Sequence, residues 1–146
     1  MSDYESVLDN LIKRLRTNLE NLREAKETSS TQIKPPKSPG VYMLFFEGGL
    51  QYIGSSGNLY DRIKTNLLSG DRESHTLINK LCELRKWNVP DAVSFLKSNS
   101  SVKFAVTKTE DDAKILEDVL IAIYHPFYNT PLRKLKKTHA LWASNT

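Results

Sequence analysis

The sequence holds a single cysteine, Cys82, in 146 residues. That excludes an internal disulfide and a cysteine-rich zinc site, and it fits a reducing compartment. No apolar run approaches the roughly 18 residues that cross a bilayer, so no membrane partner is expected. Met1 to Asp9 carries Asp3, Glu5 and Asp9 and no apolar core, unlike a secretory signal. Zinc-ligand spacings, a Walker loop, a dinucleotide fingerprint and internal repeats are all missing. With 39% hydrophobic and 26% charged residues, the composition is that of one globular domain.

Neither sign of charge dominates. There are 21 Lys+Arg against 17 Asp+Glu, a net charge of +4. Residues 1–30 sum to −1, whereas residues 131–146 hold Arg133, Lys134, Lys136 and Lys137 and no acid. A basic tail attracts phosphate backbones by releasing counterions. Taken alone, it reads first as a solvated, frayed terminus.

Leu8, Leu11, Ile12, Leu15, Leu19 and Leu22 recur at helical spacing, which predicts one amphipathic helix over residues 4–27. That stripe must bury itself on its own domain, a second copy or another protein. The segment Thr28 to Pro39, with Pro35, Pro36 and Pro39, breaks the helix and reads as an extended linker. The predicted division is a helix over residues 1–30, a linker over 31–37, a compact domain over 38–132 and a basic tail over 133–146.

The domain opens with a hairpin, Gly40 to Phe46 and Leu50 to Gly54, around Glu47-Gly48-Gly49. Helices are expected from Asn58, with Leu59 and Ile63, and from Ser74 to Trp87, ending at Val89-Pro90. Residues 91–100 are ambiguous. Val102 to Thr107 reads as a third strand. A last helix runs from Thr109, its N-cap, to Tyr124, with Ala113, Leu116, Leu120 and Ile123 as the buried stripe. The expected fold is therefore α+β: a small three-stranded antiparallel or mixed sheet flanked by helices, preceded by the amphipathic helix.

Several side chains in this plan can carry chemistry. Tyr42 and Tyr52 lie on paired strands, and the hairpin loop decides whether they share a face. A two-residue loop puts them on opposite faces. A three-residue loop pairs Leu44 with Tyr52 and Tyr42 with Gly54 and brings them together. Arg62 sits one turn past the Gly54–Asn58 loop, where a cation can hold a phosphate. Glu117, at the border of an apolar helix, suits a hard divalent cation. His75, His125 and Asn129 lie at helix ends.

In this order the residues resemble the GIY-YIG nuclease domain, over about Ser38 to Leu132. Gly40-Val41-Tyr42 stands for the first motif element, with Val where Ile is commoner, and Tyr52-Ile53-Gly54 for the second. Arg62 falls at the position of the family's catalytic arginine and Glu117 at that of its metal-binding glutamate. His75 resembles a histidine found in homing-type members. Leu116 to Asn129 resembles the closing helix and asparagine of the repair-incision branch. Several members carry a histidine or lysine one turn after the arginine, where this chain has Asn66.

The resemblance implies the three-residue loop, with both tyrosines at one site. It also implies hydrolysis of DNA phosphodiester bonds with one Mg²⁺, or Mn²⁺ as a substitute, held by Glu117. Tyr42 would act as general base and Tyr52 would orient the water or phosphate. Arg62 would stabilise charge, His75 would relay a proton or hold a phosphate, and Asn129 would support Glu117 or its helix. Gly54, Ser55, Arg62, Arg133, Lys134, Lys136 and Lys137 are the expected nucleic-acid contacts. DNA, duplex or branched, is the implied partner. A homodimer or another partner through the leucine-striped helix stays open. The implied location is intracellular, in cytoplasm or nucleoid, with the nucleus open. A non-catalytic nucleic-acid-binding module on the same fold is the alternative.

Overall fold

The computed structural model describes residues 2–70 and 76–137. Helix α1 spans Ser2–Glu24. It is followed by strands β1 (Thr28–Ser29), β2 (Gly40–Phe46) and β3 (Gly49–Ser56) and by a π-helical segment, Asp61–Leu67. Helices α2 (Thr76–Arg85) and α3 (Val89–Asn99), strand β4 (Ser101–Val106) and helix α4 (Glu110–Tyr124) complete the order. A 3₁₀ turn, Phe127–Asn129, and helical residues 132–137 close the described chain. Among the described residues, no helix is long and apolar enough to cross a membrane.

The sheet has four strands in the order β1-β4-β2-β3, every neighbouring pair antiparallel. The fourth is β1, inside the stretch expected to be a linker. Thr28 pairs with Val102 and Ser29 with Ser101. The Ser30 and Ser100 hydroxyls meet at 2.5 Å, and Lys64 Nζ donates to the carbonyls of Ser30 and Thr31. Ile33 is buried in the core. Proline stops the helix here as expected, but the single apolar side chain of the segment pins it to the domain.

Central strand β2 is covered on both faces, which explains its nearly unbroken apolar run. Tyr42, Leu44 and Phe46 face one core, with the π-helical segment, α2 and α3. Val41 and Met43 face a second core, with Leu22 of α1 and Ala113, Leu116 and Leu120 of α4. Ile123, expected in the α4 stripe, is 58% exposed because the packing surface ends before the last turn of that helix.

The ambiguous residues 91–100 belong to α3. Asn88 caps it by accepting from Asp91 N at 2.9 Å, and Pro90 lies in its first turn. Pro90 thus opens a helix where the sequence reading had it only close one. Thr109 caps α4 as expected, accepting from Asp112 N at 3.1 Å. The Asp112 carboxylate does not complete a capping box. It takes Arg14 of α1 at 3.3 Å, tying α1 to α4.

Candidate active site

The hairpin reaches the register needed for a shared tyrosine face by a different route from the one expected. Its turn has two residues, Glu47 and Gly48, both with positive φ (52° and 82°). Such turns match the twist of paired strands. A bulge then follows: Leu44 pairs with Tyr52 but Phe45 with Leu50, so Gln51 is extra. The added residue resets the parity that a two-residue turn would otherwise impose. Tyr42 lies opposite Gly54, Tyr52 opposite Leu44, and the two rings stand 6.2 Å apart, tilted by 46°.

Gly54 is the gap that this pair needs. A Cβ there would collide with Cζ and Oη of Tyr42, so only glycine lets the Tyr42 ring cross the outer strand. Tyr42 is fully buried and hydrogen-bonded to Arg62, which rises from the π-helical segment. A π-helical turn repositions side chains relative to an α-helix, a geometry frequent at functional sites. Tyr52, 6% exposed, shares a hydrogen bond of 2.9 Å with Thr76 Oγ1 at the start of α2.

Burial pushes the Tyr42 hydroxyl well above the usual phenol range, and the Tyr52 ring adds to this, while the Arg62 cation opposes it. Burial likewise raises Tyr52, opposed by its bond to Thr76 and by Arg62. Both phenols are neutral at ordinary pH.

Glu117 approaches from the other side of β3. Ser55, one residue past Gly54, points to the α4 face, and its Oγ donates to Glu117 Oε2 at 2.7 Å. Lys114 Nζ, one turn earlier on α4, lies 3.0 Å from the same oxygen. The Glu117 side chain is only 13% exposed, and its Oε1 has no hydrogen-bond partner among the described residues. No group of three or more His, Cys, Asp or Glu converges among the described residues. One carboxylate with one uncommitted oxygen suits a hard cation that keeps most of its waters, and does not suit a closed cage.

Asn129 is not hydrogen-bonded to Glu117. Its Oδ1 accepts from Ile53 N and its Nδ2 donates to Ile53 O, both at 2.8 Å. The side-chain amide replaces the missing neighbour strand at the outer edge of β3, between Tyr52 and Gly54. The expected support of Glu117 or its helix is therefore not what the side chain does.

Residues 133–137 are not a loose tail in the structure. Leu135 is buried in the first core, and Lys136 pairs with Glu83 of α2 at 3.2 Å. Glu83 lies about two turns from Thr76 along α2. Arg133, Lys134, Lys136 and Lys137 are all exposed. His75 lies outside the described residues. Thr76 and Lys114 went unnoticed as site residues. Lys114 three positions before Glu117 is a legible helical pair, whereas nothing in the sequence marks Thr76.

Two tyrosines on a hairpin, a glycine gap, Arg62 and Glu117 stand around the outer strand β3. Over about two thirds of its length the chain is similar to UvrC proteins, which carry a GIY-YIG endonuclease domain. No family model matches the chain. It is 34% identical over 99 residues to UvrABC system protein C of Bartonella quintana, covering 67% of this chain and 12% of that protein. It is also 34% identical over 116 residues to UvrABC system protein C of Campylobacter jejuni, covering 74% of this chain and 17% of that one. The chain thus spans less than a fifth of the length of these relatives. Among solved structures it resembles the GIY-YIG N-terminal endonuclease domain of UvrC from Thermotoga maritima, bound there to magnesium as its catalytic divalent cation. Identity is 27%, covering 66% of this chain and 88% of that one, with a TM-score of 0.46.

Proposed function

We propose that this protein is a divalent-metal-dependent endonuclease that hydrolyses DNA phosphodiester bonds at the outer edge of β3. The observation that carries the reading is the meeting of two groups across Gly54. On one side stand Tyr42, Tyr52 and Arg62. On the other stands Glu117 with one oxygen uncommitted.

Hydrolysis adds a water oxygen to phosphorus and expels a sugar oxygen, yielding a 5′-phosphate and a 3′-hydroxyl. Negative charge builds on the phosphoryl oxygens, and Arg62 supplies a fixed cation against it. A divalent cation at Glu117, when bound, supplies further positive charge beside the phosphate. Tyr42 is the proposed general base and Tyr52 orients the water or phosphate. A free phenol titrates at about pH 10, and burial makes Tyr42 weaker still as a base. Its proton is released only where nearby positive charge, Arg62 included, outweighs the desolvation. Exposed Arg133, Lys134, Lys136 and Lys137 extend the binding surface along a phosphate backbone. The domain division proposed is helix α1, Ser2–Glu24, packed on a nuclease domain that takes in β1 and Ile33 and reaches the buried Leu135.

The test is cleavage of linear, nicked, flapped and branched DNA with Mg²⁺ and with Mn²⁺, comparing wild type, Glu117→Ala and Arg62→Ala. Loss in both variants supports the assignment, and equal cleavage by all three overturns it. Metal-independent binding to DNA with no cutting under any condition would favour the non-catalytic module.

A further inference from the structure

Helix α2 reaches the tyrosine site by more than its first residue. Thr76 meets the Tyr52 phenol at 2.9 Å. Lys80 stands one turn further along the same face. It is buried, on a helix whose other buried residues, Leu77, Ile78, Leu81 and Cys82, belong to the first core. Its Nζ donates to the main-chain carbonyl of Tyr128 at 2.7 Å, its one hydrogen-bond partner among the described residues. An ammonium taken from water into an apolar core costs free energy that a single neutral carbonyl does not recover in full. A methionine would fill nearly the same space without that cost. The lysine is therefore better explained by what it holds than by what it adds to stability.

Tyr128 is the residue before Asn129, whose side chain closes both backbone hydrogen bonds of Ile53. Ile53 lies between Tyr52 and Gly54. Two residues of α2 thus hold Tyr52 from opposite ends. Thr76 takes its phenol, and Lys80 holds the turn whose next residue fixes the backbone beside it. The Tyr128 ring is tied to the same helix, since Arg85 Nε donates to its Oη at 3.0 Å. Arg85 also pairs at 2.5 Å with Glu47, in the turn that joins β2 to β3. Inside the 3₁₀ turn the backbone bonds are of the weaker i to i+3 kind, at 3.0 and 3.2 Å, so contacts from outside decide where Asn129 stands.

We infer that Lys80 is a positioning residue of the candidate active site. Its buried ammonium pins Tyr128, and through Asn129 it sets the β3 backbone that carries Tyr52 and Gly54. It acts through Asn129 and takes no part in the chemistry itself. The consequence for cleavage rests on the nuclease reading, whereas the consequence for Ile53 does not.

Amide hydrogen exchange of the full chain, followed by NMR, reads the pin without any DNA. Lys80→Met removes the donor and keeps an apolar stem. The Ile53 amide, which donates to Asn129, should then exchange about tenfold faster, over and above any change in the amides that pair β2 with β4. Lys80→Gln stops one atom short of the carbonyl and carries the same test if Lys80→Met does not fold. Ile53 exchange that only follows the β2 and β4 amides overturns the proposal. Cleavage separates positioning from loss of stability. At a temperature where every variant is folded, Lys80→Met should lower kcat about tenfold and leave KM within about twofold. Asn129→Ala should lower kcat at least as far, and the double variant no further than Asn129→Ala alone. Losses that multiply in the double variant overturn action through Asn129. A wild type that cuts no DNA overturns the nuclease reading, and the Ile53 exchange still decides the pin.

Discussion

The side-chain amide of Asn129 closes both backbone hydrogen bonds of Ile53 at 2.8 Å, acting as a one-residue neighbour strand on the open edge of β3. Ile53 is the residue between Tyr52 and Gly54, so this clamp fixes the backbone from which Tyr52 and the glycine gap are set. Asn129→Ala leaves a partly buried N–H and C=O without partners and is expected to destabilise the fold by about 1–3 kcal/mol. Asn129→Asp keeps the acceptor for Ile53 N but loses the donor to Ile53 O, and is expected to restore only part of that loss. Denaturant unfolding of the three proteins checks this, and equal stability of all three removes the clamp.

Gly54→Ala tests the gap. A methyl group there overlaps the Tyr42 hydroxyl and ring carbon, so either the ring or the strand must move. The expected result is a protein that still folds, because the outer strand can shift, but that loses at least about tenfold in DNA cleavage. Unchanged cleavage would show that the placement of the Tyr42 ring does not matter.

Ser55 and Lys114 act on the same oxygen of Glu117 with opposite expected effects on metal. The Ser55 hydroxyl fixes the carboxylate, so Ser55→Ala should raise the Mg²⁺ concentration for half-maximal cleavage about ten- to a hundredfold, as the loss of an outer-shell partner does. Lys114 places a competing cation 3.0 Å from the carboxylate. Lys114→Met should lower that concentration. Mg²⁺ titrations of the two variants moving in the same direction would contradict this division of roles.

The buried tyrosines give a pH signature. Burial raises the Tyr42 hydroxyl in the folded protein above its unfolded value of about 10. The unfolded chain therefore releases the proton first, and stability is complete below about pH 10 and falls as pH rises toward the folded value. Tyr42→Phe removes that liability. At neutral pH the variant loses the bond to Arg62, about 0.5–1.5 kcal/mol, but its stability should decline less steeply between pH 10 and 11. Tyr52 and Tyr128 are raised too, so part of the slope remains. Thermal melts at stepped alkaline pH check the crossover. In the cleavage assay the same variant should lose most activity, and full activity would remove Tyr42 as base.

Local patterning made much of this protein legible in advance. Leucines at helical spacing marked α1, a short apolar and aromatic run with a glycine turn after it marked β2 and β3, and Thr109 marked the start of α4. Each signal is carried by neighbours a few residues apart, where backbone geometry alone decides what shares a face. The identities and order of Tyr42, Tyr52, Arg62, Glu117 and Asn129 were likewise fixed by the sequence. Only the tertiary structure decided what those residues touch. The bulge at Gln51 sets the parity of the two tyrosines, and nothing in Leu50-Gln51-Tyr52 announces an extra residue. Ile33 draws a proline-rich stretch into the core because side chains distant in sequence pack around it. Asn129 reaches Ile53, 76 positions away, and Ser55 reaches Glu117, 62 away. Such contacts exist only once the sheet and α4 have packed, because they depend on where two separate elements come to rest and not on the conformation of either one.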